Sequence, residues 1–232
     1  ELANRDSTHL GAAICTLAGQ RLSVGDCEES YTLQRISKLI ALTLAIEQTG
    51  QDYVFTKVGY EPTGDSFNSL VRLDSLTKNK PYNPLINAGA IAVTSCIRGG
   101  TLDERKGLAL DFARKLFASD KLRFNENVYA SEKATTWKNR AIINLMKANG
   151  IIEDNNLDDI LDLYIALCSI EVNCRELAEF AALLANNGQR VGSGEQLIPL
   201  KTVKLVRSLM VTCGMYDYSG EYASKVGIPS KS

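Results

Sequence analysis

Lys38 stands near the start of a run, residues 35–49, in which Ile36, Leu39, Ile40, Leu42, Leu44, Ala45 and Ile46 fall on every side of a helical wheel. That pattern predicts a helix buried all round and stopped by Gly50. An ammonium in the first turn of such a helix is costly to bury unless it is paired or used. Used, it becomes a lysine of lowered pKa, able to act as a general base without histidine. The commoner fate of a lysine at a helix end is to snorkel into water. Arg35 lies three residues earlier and so on the same helix face, where its charge should depress the lysine pKa further. Ser37 projects from a different face, and Thr32 precedes the helix, so neither hydroxyl is well placed beside the amine. Ser75 and Lys78 have Ser-x-x-Lys spacing, but in a polar loop that gives the lysine no reason to lose its proton.

Other chemistries are scarce. His9 is the one histidine, isolated near the start, which excludes a Ser-His-Asp triad and a multi-histidine metal site. The six cysteines (15, 27, 96, 168, 174 and 213) lack CxxC pairing and sit mostly among apolar neighbours, as free thiols of a reducing compartment do. Lys and Arg total 26 against 27 Asp and Glu, a net charge of −1, so no long-range field favours nucleic acid or an anionic membrane. A small or neutral ligand suits such a surface better. No apolar stretch of about 18 residues offers a membrane span. The start, at Glu1 without a methionine or a signal-peptide pattern, suggests a processed or cut end.

The elements that must position Lys38 belong to a chain of 232 residues, 45% hydrophobic, which fits one sizeable globular domain or two small lobes sharing a core. LGAAICTL, Gly19 and QRLSVGD predict a β-hairpin with small residues where backbones approach. Residues 60–86 hold three prolines with several Asn, Asp and Gly, and predict a long ordered loop. NAGAIAVTSCI, from Asn87, predicts another buried helix. Thr101 and Glu104 have capping-box spacing before an amphipathic helix. Further helices are expected at 130–149, 156–168, 173–187 and 199–212, with Asn187-Gly188 stopping the third of these and no finished element after the last. A two-strand sheet alone is marginal.

YTLQRISKLI resembles the signature of the glutaminase family, in which a Gln-Ser-x-x-Lys stretch opens the central helix, and the family is related to the Ser-x-x-Lys penicillin-recognising enzymes. The blocks VGYEPTGDSFNSLVRL, KPYNPLINAGAIAV, SEKATTWKNRA, LDLYIALCSIEVNCRELA and LMVTCGMYDYSGEYASKVGIPSKS are similar to glutaminase blocks in the same order, so the resemblance covers essentially the whole chain. It implies an α/β (α+β) fold of the serine β-lactamase/DD-peptidase type, a partial sheet with a large helical lobe. Residues 1–58 and 200–232 would form the sheet-containing lobe and 59–199 the helical one.

The resemblance further implies hydrolysis of L-glutamine to L-glutamate and ammonia through a serine acyl-enzyme, with no metal or organic cofactor, in a cytoplasmic homo-oligomer, dimer or tetramer. Residue by residue, Lys38 matches the active-site lysine, Asn87 the asparagine of the NAGA block, and Glu132 and Asn139 the ligands of the amino-acid end of glutamine. Tyr164 and Tyr216 match the two later site tyrosines, Tyr216 being the better placed for proton transfer beside the nucleophile. Each residue also has a plainer explanation: Asn87 a helix cap, Asn139 a surface residue beside Arg140, Glu132 a carboxylate matched to a helix dipole, the tyrosines core residues.

Arg35 falls on the position of the family serine. A guanidinium is permanently protonated and has no nucleophilic oxygen, so the acyl-enzyme route is closed there and the chain is expected to be inactive or impaired. The chain also stops at Lys231-Ser232, inside a Lys-Ser-Gly-Val block that gives the family a backbone oxyanion donor, the loss of which costs about 3 kcal/mol in the transition state. A family site tyrosine would fall just before Glu1. Leu167 replaces a glutamine usual beside the Cys-Ser pair. A non-catalytic amino-acid-binding or interaction homologue is the alternative. A penicillin-binding enzyme lacks the same serine and has no convincing Ser-Asp-Asn element.

Overall fold

The computed structural model describes residues 6–64, 80–154 and 156–232. The helix that carries Lys38, α1 (Ser37–Thr49), is the centre of the molecule: every residue from Ser37 to Ile46 is buried. It is entered through a short 3₁₀ turn, Gln34–Ile36, and released by Gly50, whose φ of 84° an L side chain rarely adopts. Gly50 does more than stop the helix, because the chain turns there and at once forms α2 (Gln51–Lys57), which periodicity had not marked off.

Against α1 pack α3 (Asn87–Thr94), buried throughout, then α4 (Leu102–Phe117), α7 (Leu157–Cys168) and α9 (Leu200–Cys213). The ends of α4 and of α8 (Cys174–Ala185) follow sequence signals directly. Thr101 with Glu104, and Asn173 with Glu176, each close a reciprocal capping box. Asn187 and Gly188 after α8 both have positive φ. One apolar core joins α1 to α4, α7, α8 and α9, with the rings of Phe117 and Phe180 stacked 4.9 Å apart. Leu167 belongs to this core, where a glutamine amide would need a partner. A second core joins Ile91 of α3 to Ile142, Ile143 and Met146 and to α7 through Ile160 and Ile165.

The single helix expected over 130–149 is two: α5 (Glu126–Thr135) and α6 (Trp137–Ala148), parted at Thr136 with ψ 32°. Two adjacent β-branched residues explain the break, since Thr135 returns its hydroxyl to the Ser131 carbonyl and Thr136 leaves helical geometry. The start is also earlier than expected, because the Asn125 side chain caps the Val128 amide. Beyond α9, where no finished element was expected, a 3₁₀ turn at Tyr216–Tyr218 leads into α10 (Ser219–Lys225).

The expected hairpin is β1 (Gly11–Cys15) paired antiparallel with β2 (Arg21–Gly25), Gly11 opposite Gly25 and Cys15 opposite Arg21. Its small residues have the anticipated reason: a Cβ on Gly11 would come within 2.9 Å of the Asp26 carbonyl carbon. Alternate residues of β1 are half-buried, the strand lying on α8, while β2 is exposed throughout. A second pair, β3 (Tyr31–Thr32) with β4 (Glu171–Val172), fastens the entry of α1 to the exit of α7. The class is therefore mixed α/β, a partial sheet and a large helical part. Most of the loop expected over 60–86, with Ser75 and Lys78, lies outside the described residues.

Gly89 and Gly107 separate close packing from mere helical geometry. A Cβ on Gly89 would lie 1.8 Å from the Asn83 carbonyl oxygen, so α3 sits directly on the turn before it, whereas Gly107 in α4 has open space around it. Gly89→Ala is expected to destabilise the chain by about 1–3 kcal/mol. Gly107→Ala should stabilise it by about 0.5–1 kcal/mol, both read from denaturant melts.

Candidate active site

Lys38 is 1% exposed. Its Nζ lies 2.8 Å from the Leu85 carbonyl oxygen, 2.9 Å from Asn87 Oδ1 and 3.2 Å from the Tyr216 hydroxyl. It does not snorkel. Burial, first, pushes its pKa well below the usual lysine value, with the Lys231 charge next and Arg35 weaker still. The depression anticipated from Arg35 thus has the expected sign and a different main cause. The Leu85 carbonyl, Asn87 Oδ1 and the Tyr216 hydroxyl all accept from Nζ, so the three hydrogen-bonding positions of the lysine nitrogen are taken.

The acceptors are held from behind. Asn83, itself buried, accepts the amides of Leu85 and Ile86 on its Oδ1 (3.0 and 3.2 Å) and donates to the Glu61 carbonyl at 2.9 Å. That turn fixes the Leu85 carbonyl and starts α3. Asn87 does not cap α3: the residue before the helix is Ile86, and no side chain caps it. Its Oδ1 accepts from Lys38 and from the Tyr164 hydroxyl (3.3 Å), while its Nδ2 donates 3.1 Å to Asn139 Oδ1. Asn139 is half-buried and donates onward to the Thr136 hydroxyl at 3.0 Å, so the break between α5 and α6 is where this network ends. The orientations of the Asn87 and Asn139 amides therefore follow from the lysine.

Glu132 lies seven residues into α5, too far along for a dipole-matched first turn. It is half-buried, it has no hydrogen bond or ion pair among the described residues, and its charge reaches Tyr164 and Cys168. Burial raises Tyr164 well above the ordinary phenol range.

Tyr216 comes from the turn after α9 and has φ 56°, as Gln34 at the entry of α1 has φ 47°. Left-handed non-glycine residues cost about 1–3 kcal/mol where held, and of these two Tyr216 meets the amine directly. A lysine that pattern reading passed over completes the group. Lys231 Nζ lies 2.9 Å from the Tyr216 hydroxyl and 3.3 Å from the Gly214 carbonyl. Gly214 permits this, since a Cβ there would meet the Ser230 oxygen at 1.8 Å. The signal available in the sequence was the KS of the final block, read there only as a broken motif. Burial, then Arg35, brings Lys231 down to about 7. Burial raises Tyr216 against the opposing pull of Arg35.

Arg35 is exposed, its guanidinium 6.0 Å from the Tyr216 ring centroid, with Lys38 at 5.1 Å and Lys231 at 4.2 Å. Neither nearby hydroxyl replaces a serine. Ser37 Oγ donates to the Gln34 carbonyl at 2.6 Å and meets Cys168 Sγ at 3.5 Å, and Thr32 Oγ1 accepts from Gln34 Nε2. All six cysteines are free. His9 is exposed near Asp6, far in sequence from this group. No group of His, Cys, Asp and Glu among the described residues is arranged to hold a metal.

A lysine buried at the head of a central helix, faced by an asparagine and a phenol, on a mixed α/β frame, defines the class as serine β-lactamase-like. The chain belongs to the glutaminase family, whose model matches residues 1–232. It is 48% identical over 232 residues to glutaminase 2 of Clostridium perfringens (strain 13 / Type A), covering 100% of this chain and 76% of that one. It is 45% identical over 232 residues to a glutaminase of Clostridium botulinum (strain Kyoto / Type A2), with the same coverage, 100% and 76%. The crystal structure of a probable glutaminase of Bacillus subtilis superposes with a TM-score of 0.93 at 36% identity, over 97% of this chain and 72% of that chain.

Lys231 supplies a test of the cation cluster by linkage. Its native pKa is lowered, so above about 7 the unfolded state holds the proton that the native state has lost. The penalty is fully present below about 7 and fades as pH rises into the ordinary lysine range. Lys231→Met removes it, and denaturant melts should show a larger stability gain at about pH 6 than at about pH 9.5. An equal gain at both would mean that Lys231 is charged in the native protein.

Proposed function

We propose that this chain is a glutaminase whose hydrolysis of L-glutamine is lost or severely impaired, with the amino-acid site retained. The observation that carries the reading is Arg35, three residues before a buried amine that is otherwise fully positioned. In this reading Glu132 receives the α-ammonium of glutamine, and Asn87 and Asn139 offer amide donors to its α-carboxylate. Tyr164 orients Asn87. Lys38 and Tyr216 are the proton-handling pair, and Lys231 extends it: the Tyr216 hydroxyl accepts from both lysines.

Such a relay serves a hydroxyl nucleophile by taking its proton as oxygen attacks the amide carbon, then returning a proton to the departing ammonia. Arg35 supplies no oxygen for that attack and adds a positive charge where the proton must go. Binding can survive while the covalent step fails. We extend the proposal to a homo-oligomer in the cytoplasm. Exposed Ile14, Leu22 and Val24 on the hairpin support the first, and six unpaired thiols the second.

An ammonia-release assay with L-glutamine tests this, using the chain and its Arg35→Ser variant, each also extended to the relatives' length. Losing a hydrolase nucleophile costs about 10⁴–10⁶-fold in kcat, so the serine variant should exceed the unmodified chain by at least about 10³-fold. Robust turnover by the unmodified chain would sink the idea. The alternative, a purely non-catalytic binding homologue, predicts that Arg35→Ser restores nothing in either length.

A further inference from the structure

We propose that Cys27 and Cys174 form an oxidative modification site, a pair of thiols that a small disulfide of the glutathione class converts into an intramolecular bridge. The proposal is independent of the amino-acid site. Its basis is a backbone contact between two cysteines far apart in sequence. The amide of Cys174, the first residue of α8, donates to the Cys27 carbonyl at 3.2 Å. The first amides of a helix find no partner inside it, so this bond belongs to the way α8 starts, beside the Asn173–Glu176 capping box. The other backbone is held as firmly. The Cys27 amide donates to the Gly25 carbonyl at 2.8 Å, and Asp26 exchanges two bonds of 2.9 Å with the backbone of Leu10. One N–H···O bond between two backbones sets their α-carbons roughly 5–6 Å apart, the usual span of a disulfide.

Both thiols are free, and they differ in access. Cys27 is 6% exposed, whereas Cys174 is half-buried and lines a surface cavity with Gly11, Asp26 and Tyr31. The Cys174 thiolate therefore meets the oxidant first. It attacks one sulfur of the small disulfide, whose S–S bond breaks and releases one thiolate. Cys27 then gives its proton to solvent and attacks the Cys174 sulfur, forming the protein disulfide and expelling the second small thiolate. Two protein thiols are oxidised, and one small disulfide is reduced to two thiols. With the α-carbons already at bridging distance, closure turns the two side chains about χ1 and leaves both backbones in place. A reducing compartment keeps the pair open, and an oxidised glutathione pool closes it. The bridge lies just outside the β3–β4 pair, Cys27 before Tyr31 and Cys174 after Val172. Since that pair fastens the entry of α1 to the exit of α7, oxidation makes the clasp covalent. Cys15, the other half-buried thiol, lines a separate cavity with Glu179, about 7.5 Å further along α8 than Cys174.

The test equilibrates the chain in glutathione buffers of rising oxidised fraction, quenches with N-ethylmaleimide and maps the peptides by mass. A Cys27–Cys174 disulfide should form while the other cysteines stay open to alkylation, and dithiothreitol should reverse it. The melting temperature of the bridged monomer should rise by several degrees, because the bridge closes a long loop in the unfolded chain. Cys27→Ser and Cys174→Ser should each abolish the bridge and the rise, and Cys15→Ser should leave both unchanged. A bridge through any other cysteine, a bridge between two chains, or glutathione left on Cys174 of the unmodified chain overturns the proposal. So does full alkylation of all six thiols in oxidised glutathione. A bridge that forms without raising the melting temperature overturns the clasp. Peptide mapping of the unmodified chain, with the half-buried Cys174→Ser as its control, decides the matter even where Cys27→Ser fails to fold.

Discussion

A lysine placed at the head of an apolar helix must hold its proton less tightly, be surrounded by acceptors, or both. Burial lowers the proton affinity of Lys38, and the Leu85 carbonyl, the Asn87 amide oxygen and the Tyr216 hydroxyl accept from its nitrogen. The arrangement makes demands outward. The Leu85 carbonyl has to be presented by a turn, which Asn83 ties together and which Gly89 alone is small enough to sit upon. Asn87 must face oxygen towards the amine, so its nitrogen faces Asn139, which fixes where α6 begins. Tyr216 must be thrust back over the amine from the far end of α9, at the cost of left-handed backbone. Much of the local irregularity in the chain lies within a few residues of this one side chain.

That dependence explains which parts were legible in the sequence. The all-round apolar pattern of α1, the Thr101–Glu104 capping box, the hairpin and the glycine stops are local signals, each decided by residues within a few positions, and they read correctly. Lys38 itself was legible because a charged residue in an apolar run conflicts with its surroundings. The break at Thr136 was missed because hydrophobic period continues across it, and only hydroxyl back-bonding and the Asn139 contact interrupt the helix. Lys231 was missed for a different reason. In its own segment, IPSKS, nothing suggests burial, and only Gly214, seventeen residues earlier, lets that segment lie against the end of α9. Contacts of that span leave no periodic trace.

The placement of Arg35 shows how fold and chemistry can separate. The side chain is exposed and contributes little to the core, so replacing a small hydroxyl by a long cation there does not disturb α1. The cost is electrostatic and falls on neighbours, as the lowered Lys231 and the opposed shift at Tyr216 record. If, as proposed, Arg35 occupies the family's serine position, the change is cheap for stability and ruinous for acyl transfer.

The same separation bears on why the rest of the network stays intact. If, in the proposed reading, Lys38, Asn87 and Tyr216 served only a lost reaction, nothing would keep a buried amine and an oriented amide, since an apolar residue at Lys38 would relieve the desolvation cost. But the amine also ties the turn before α3 to the return of the chain after α9, and its removal would orphan the Leu85 carbonyl inside the core and leave the Asn87 oxygen with the Tyr164 hydroxyl alone. Unsatisfied buried acceptors cost about 1–3 kcal/mol each, comparable with what a single substitution could recover. In the proposed reading the group around Lys38 is held in place by its own hydrogen bonds, whether or not acyl transfer proceeds.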